Sequence, residues 1–173
     1  MLHKTKKRKM IILVGLLILI TVAAGWIIWG NISVQTSLFT VQSDDLPKEF
    51  DGFSIAHISD LHNAEYGKNN EKLIEILQEE KPNIIAITGD LIDSNHTDIE
   101  LALSFARQAV NIAPCYFVAG NHEAWIGTQY DELKTALENM GVVVLQDEVI
   151  ELEYGGASIQ LIGLNDPDFA EQD

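Results

Sequence analysis

Three short polar clusters hold the residue types that can do hydrolytic or metal chemistry: Asp60-Leu61-His62, Gly89-Asp90-Leu91-Ile92-Asp93 and Gly120-Asn121-His122-Glu123. Carboxylates, an amide and imidazoles are oxygen and nitrogen donors, a set suited to Mn²⁺, Fe, Zn²⁺ or Mg²⁺ and not to an ion that prefers thiolates. Two carboxylates held close would repel one another or stay partly protonated, and a divalent cation removes that conflict. Each cluster alone has an ordinary structural use: Asp-x-His as a cap or turn, Gly-Asp as a turn, Asn-His-Glu as a helix N-terminal cap. Their conjunction, in order and at even spacing, is what points to chemistry.

The spacing also names the elements that must position them. Asp60 and Asp90 are 30 residues apart, and Asp90 and Asn121 are 31 residues apart, about one βαβ unit each time. The apolar runs Phe53 to Ile58, Asn83 to Thr88 and Cys115 to Ala119 directly precede the clusters and predict buried parallel strands. Parallel strands deliver all three clusters to one sheet edge, where open α/β sheets bind ligands. Helices are predicted over about Asn70 to Glu80, from a Thr97-Asp98-Ile99-Glu100 capping box to about Asn111, and over about Thr128 to Met140 before Gly141. Val142 to Leu145 reads as a further strand. Glu148 to Tyr154 and Ala157 to Leu164 flank Gly155-Gly156 as a hairpin.

Composition narrows the function classes. The chain has 173 residues, 47% of them hydrophobic, with 26 acids against 11 bases. Five bases fall at Lys4, Lys6, Lys7, Arg8 and Lys9, which leaves six against all 26 acids in residues 44–173, a net of −20. A body without clustered Lys and Arg cannot neutralise a run of phosphates, so nucleic acid is disfavoured as a partner, and with it a nuclease. The single cysteine, Cys115, has no disulfide partner and cannot build a multi-thiolate site.

Met10 to Gly30 contains no charged residue and is long enough to cross a bilayer. Basic residues before it and Trp26 and Trp29 near its end predict a single-pass anchor with a cytoplasmic N-terminus and an extracytoplasmic body. A signal peptide cut near Val22-Ala23-Ala24 would export the same body. The expected division is a basic tail over 1–9, the anchor over 10–30, a juxtamembrane linker with an edge strand at Leu38 to Val41 over 31–51, and an incomplete catalytic domain over 52–173.

The three intact clusters resemble the signature of the calcineurin-like metallophosphoesterases, Asp-x-His, Gly-Asp-x-x-Asp and Gly-Asn-His-Glu, and Ile58-Ser59-Asp60-Leu61-His62 is similar to the membrane-associated bacterial branch. The resemblance covers about Phe53 to Pro167. It implies an α/β fold, a four-layer αββα sandwich, with two divalent metal ions that activate water against phosphomono- or phosphodiesters. By that likeness Asp60 and His62 bind one ion, Asp90 bridges both, Asn121 binds the other, and His122 assists at the phosphate as proton donor or charge stabiliser. Asp93 and Glu123 would be acceptors that orient His122 and its loop. A phosphorylated small molecule or lipid would be the substrate.

The family also supplies later Gly-His and Gly-His-x-His ligands, and neither element occurs here. Four protein ligands hold two metals poorly, so the resemblance implies a chain cut short at Asp173 and a piece that is weakly active or inactive alone. A noncatalytic membrane-anchored binding module, a degenerate relative, is the alternative. Of the remaining histidines, His57 reads as a packed strand residue and His96 as a loop residue.

Overall fold

The computed structural model describes residues 2–172, so the outermost ends of the expected division, Met1 and Asp173, lie outside the described residues. It falls into two units, residues 1–35 and 36–173. The first is one helix, α1 (Leu2–Ile32). Among the described residues its large apolar side chains are exposed on every face, from Val14 at 50% to Trp26 at 72%. Lys6–Ile27 is long and apolar enough to span a membrane. Trp26 and Trp29 touch through tilted rings 5.9 Å apart.

The second unit is mixed α/β. Strands β1 (Ile55–Ile58), β2 (Ile84–Thr88), β3 (Cys115–Val118) and β4 (Val143–Val144) form one parallel sheet in the order β1-β2-β3-β4. Helices α2 (Glu71–Glu80), α3 (Ile99–Ala109) and α5 (Thr128–Asn139) supply the crossovers, and a five-residue helix α4 (Asn121–Trp125) precedes α5. Strands β5 (Glu148–Tyr154) and β6 (Ala157–Gly163) pair antiparallel through Gly155 and Gly156, both at positive φ as a tight hairpin turn demands.

Alternation along the strands assigns two layers to the sheet's faces. Ile84 of β2 and Tyr116 of β3 pack with Leu152, Ile159 and Leu161 of the hairpin and with Phe50 and Phe53. Ile85, Ile87, Cys115 and Phe117 therefore point the opposite way, and all four are at most 1% exposed under the buried helix residues Phe105, Leu133 and Leu137. The result is helices, then parallel sheet, then hairpin, three of the layers expected of the sandwich. Burying an aliphatic or aromatic side chain of this size contributes about 1.5–3 kcal/mol, so this face anchors the strands whose ends carry the polar clusters.

Several expectations shift in detail. Leu38 to Val41 has no regular secondary structure, and Leu38, Phe39 and Val41 are more than 80% exposed, so no edge strand forms there among the described residues. α3 is capped by Asp98, whose Oδ1 accepts from the Leu101 N–H at 2.9 Å. Thr97 instead donates its hydroxyl back to the Asp93 carbonyl at 3.0 Å, so the Thr capping box does not form. His57 is exposed rather than packed, with Nε2 2.6 Å from the Thr88 hydroxyl.

Candidate metal centre

Each polar cluster emerges where a parallel strand ends. The turn after β1 continues to pair with the turn after β2: the N–H groups of Asp60, His62 and Asn63 donate to the carbonyls of Gly89, Asp90 and Leu91 at 3.2, 2.8 and 3.2 Å. Asp60, His62, Asn63 and Asp90 all adopt left-handed backbone, with φ of 54°, 46°, 54° and 52°. Such a conformation costs a non-glycine residue on the order of 1–2 kcal/mol and persists only where the surroundings enforce it. Here it brings the Asp60, His62 and Asp90 side chains together.

The glycines make room. Gly89 has φ +83°, and a Cβ there would lie 2.8 Å from the Gly120 Cα. Gly120 has ordinary extended φ, so space alone demands glycine: a Cβ would collide with Asp90 Oδ1. The two turns thus touch backbone to backbone. Asp90 Oδ1 then accepts the His122 N–H at 3.0 Å, which ties the second cluster to the third.

At the meeting point His62, Asp90 and His122 each offer a ligand atom, all within 4.8 Å of one another and all half-buried. His62 Nε2 lies 3.7 Å from Asp90 Oδ2 and 3.8 Å from Asp60 Oδ1. The His62 and His122 rings meet edge to face at 4.4 Å. Asp60 stands at the rim, its side chain 67% exposed against 13% for Asp90. Asn121 opens α4, half-buried, next to Gly120. An imidazole and carboxylate set of this kind fits a divalent ion.

Glu123 sits below the centre, fully buried. Its Oε2 accepts the N–H groups of Asp90 and Gly120, both at 2.8 Å, and its Oε1 accepts that of Ile92 at 3.2 Å. Burial pushes the carboxyl above its ordinary range, the three N–H bonds oppose that, and the Asp90 charge adds to it. Glu123 therefore fastens the turns after β2 and β3 together. Asp93 is held below the ordinary carboxylate range, first by the Asn95 backbone N–H. Its Oδ1 lies 3.6 Å from His122 Nδ1, beyond hydrogen-bond range.

Sequence reasoning passed over two residues that shape the centre. The Ser94 N–H donates to His122 Nδ1 at 2.9 Å, and its hydroxyl lies 3.1 Å from the same nitrogen. Because Nδ1 accepts, the neutral ring carries its proton on Nε2. Asn63 clasps the next loop: its Oδ1 accepts from the Asp93 and Asp98 N–H groups at 2.9 and 3.1 Å, and its Nδ2 donates to the Asp98 carbonyl at 2.7 Å. Asn63 directly follows Asp-x-His, and an asparagine in a turn was its one signal; Ser94 gave none.

Comparison with known proteins gives the chain a family and relatives. The pattern of the family described as calcineurin-like phosphoesterase matches residues 53–172. The uncharacterized metallophosphoesterase YkoQ of Bacillus subtilis is 30% identical over 129 residues, covering 72% of this chain and 47% of that protein. An uncharacterized metallophosphoesterase of Aquifex aeolicus is 25% identical over 137 residues, 78% of this chain and 50% of its own length. A solved structure, the phosphopantetheinyl hydrolase of Mycobacterium tuberculosis, aligns with a TM-score of 0.49 at 21% identity, over 64% of this chain and 41% of that one. The chain thus spans about half the length of the two bacterial relatives.

Proposed function

The chain belongs to the calcineurin-like phosphoesterase family, and on that premise we propose that it carries the metal-binding turns of a membrane-anchored, metal-dependent phosphoesterase. The observation that supports this most is the convergence of His62, Asp90 and His122 within 4.8 Å at the carboxyl edge of the parallel sheet, the first two as ligands and His122 as the group that meets the phosphate. In this reading Asp60, His62, Asp90 and Asn121 are the residues that would hold the divalent ions. Bound there, divalent ions polarise phosphoryl oxygens and make water acidic enough to attack at neutral pH.

The chain's own groups do the rest. Ser94 fixes His122 with its N–H on Nε2, placed to hydrogen-bond the leaving oxygen and stabilise its growing charge as the water oxygen bonds to phosphorus and the ester P–O bond breaks, the alkoxide then taking its proton from solvent. The Asp90 carboxylate is oriented by the His122 N–H, and Glu123 fixes the Asp90 backbone behind it. No covalent enzyme intermediate is needed. The apolar α1 segment would hold this centre at a membrane, N-terminus inside and body outside, which places lipid-linked or envelope phosphoesters within reach.

The test is hydrolysis of an aryl phosphate by the full-length protein with Mn²⁺. Turnover that Asp90→Asn abolishes while the circular dichroism spectrum is kept supports the reading. Full turnover in that variant would overturn the role of Asp90, and binding of metal without any turnover of mono- or diesters would favour the noncatalytic alternative.

A further inference from the structure

The last residue of α4, Trp125, is 56% exposed, and its ring centroid lies 5.0 Å from that of His122. Solitary exposed hydrophobic residues are common and need no explanation. This one differs because it is pinned. Its indole Nε1 donates to Asp168 Oδ2 at 2.7 Å, across 43 residues of chain. Asp168 is held in turn: its N–H donates to Asp166 Oδ1 at 2.9 Å, and the neighbouring Phe169 packs edge to face on the buried Tyr130 of α5, 5.0 Å away. The indole's polar atom is thus satisfied inside the protein while more than half of its apolar surface stays in water beside His122.

Ordering an aromatic side chain without burying it has a cost in rotamer freedom, and a fixed ring offers a preorganised stacking surface to whatever next occupies the site. We infer that Trp125, oriented by Asp168, is an aromatic platform for the alcohol portion of the phosphoester, selecting esters whose leaving group carries an uncharged planar ring. This rests on the phosphoesterase reading, in which the His122 N–H meets the leaving oxygen. A leaving group held beside His122 would lie next to the indole, whose centroid is 5.0 Å from that of His122, and offset or edge-to-face pairs form at centroid separations of about 4.5–7 Å. The carboxylates of Asp166 and Asp168 beside the platform disfavour a leaving group with further negative charge.

The experiment compares benzyl phosphate with cyclohexylmethyl phosphate, which share an alkyl leaving oxygen and differ in ring planarity, using full-length protein with Mn²⁺. Wild type should prefer the benzyl ester. Trp125→Ala should lower the benzyl to cyclohexylmethyl ratio of kcat/KM by about 2- to 12-fold, the range of an aromatic pair, and Trp125→Phe should keep most of it. Asp168→Ala, which frees the indole, should lower the ratio by a smaller factor through KM. Calorimetric binding of the nonhydrolysable benzyl- and cyclohexylmethylphosphonates repeats the comparison without turnover. An unchanged ratio in Trp125→Ala, or equal or absent binding of the two phosphonates to wild type, overturns the platform. Hydrolysis of neither ester together with preferential benzylphosphonate binding would instead overturn the hydrolase reading and keep the platform.

Discussion

Glu123 provides the sharpest test of how the centre is held. Its carboxylate accepts three backbone N–H groups, from Asp90, Gly120 and Ile92. Truncation to alanine orphans all three. Ile92 is fully buried, so no water can replace its partner, and an unsatisfied buried donor costs about 1–3 kcal/mol. Asp90 and Gly120 are half-buried and recover part of their loss from solvent. Removing a buried carboxyl that already sits above its ordinary range returns some of this, because its charge was imperfectly compensated. The net expectation for Glu123→Ala is about 3–5 kcal/mol, cavity included. At roughly 2–4 °C per kcal/mol for a chain of this size, Tm should fall by about 6–20 °C. Glu123→Gln keeps one oxygen for the Asp90 and Gly120 donors and turns its NH₂ against the Ile92 N–H. It should cost about 1–3 kcal/mol. Differential scanning calorimetry should rank wild type above Gln above Ala. An alanine variant as stable as wild type, or a glutamine variant as damaged as alanine, would refute the reasoning that Glu123 joins the two turns.

Three further outcomes follow from the same geometry. Gly120→Ala drives a methyl group into the Asp90 carboxylate, so urea unfolding should show a loss of about 1–3 kcal/mol, and calorimetry a weaker Mn²⁺ affinity. Asn63→Ala strips acceptors from the Asp93 and Asp98 N–H groups and should destabilise by about 1–3 kcal/mol, whereas Asn63→Asp, which keeps the acceptor, should lose less. Burial raises the Cys115 thiol from 9.0 to about 11 and the Tyr130 hydroxyl from 10.0 to about 12. Both folded values lie above the unfolded ones, so their contribution to stability is complete below about pH 9 and is lost as pH rises toward 12; Tm against pH should fall over that window, less steeply in Cys115→Ala.

The parts of this molecule that were legible in the sequence are those where one local rule dominates. The runs ending at Ile58, Thr88 and Val118 are short and apolar, as strands of a parallel sheet are, with β2 and β3 largely buried and edge strand β1 partly exposed, and each ends in a polar cluster, so strands and site edge could be read together. The hairpin was legible because two adjacent glycines at positive φ have few other uses. Tertiary partners decided the rest. Leu38 to Val41 has the composition of a strand but meets no edge to pair with among the described residues. Asp98 displaced Thr97 as the cap because Thr97 bonds the loop behind it. His57 lies on the open edge strand β1, where an apolar neighbourhood in sequence does not become one in space. Ser94 contributes chiefly a backbone N–H, which every residue but proline has, so no pattern of side chains could single it out.

The central claim is that side chains from separate βα turns meet around divalent metal, with Asp90 in the middle. Metal content by inductively coupled plasma mass spectrometry, on full-length protein reconstituted with Mn²⁺ and desalted, tests it most directly. The account predicts that wild type retains stoichiometric metal and that Asp90→Asn, still folded, retains little. Equal retention by the two proteins, or none by either, would contradict it.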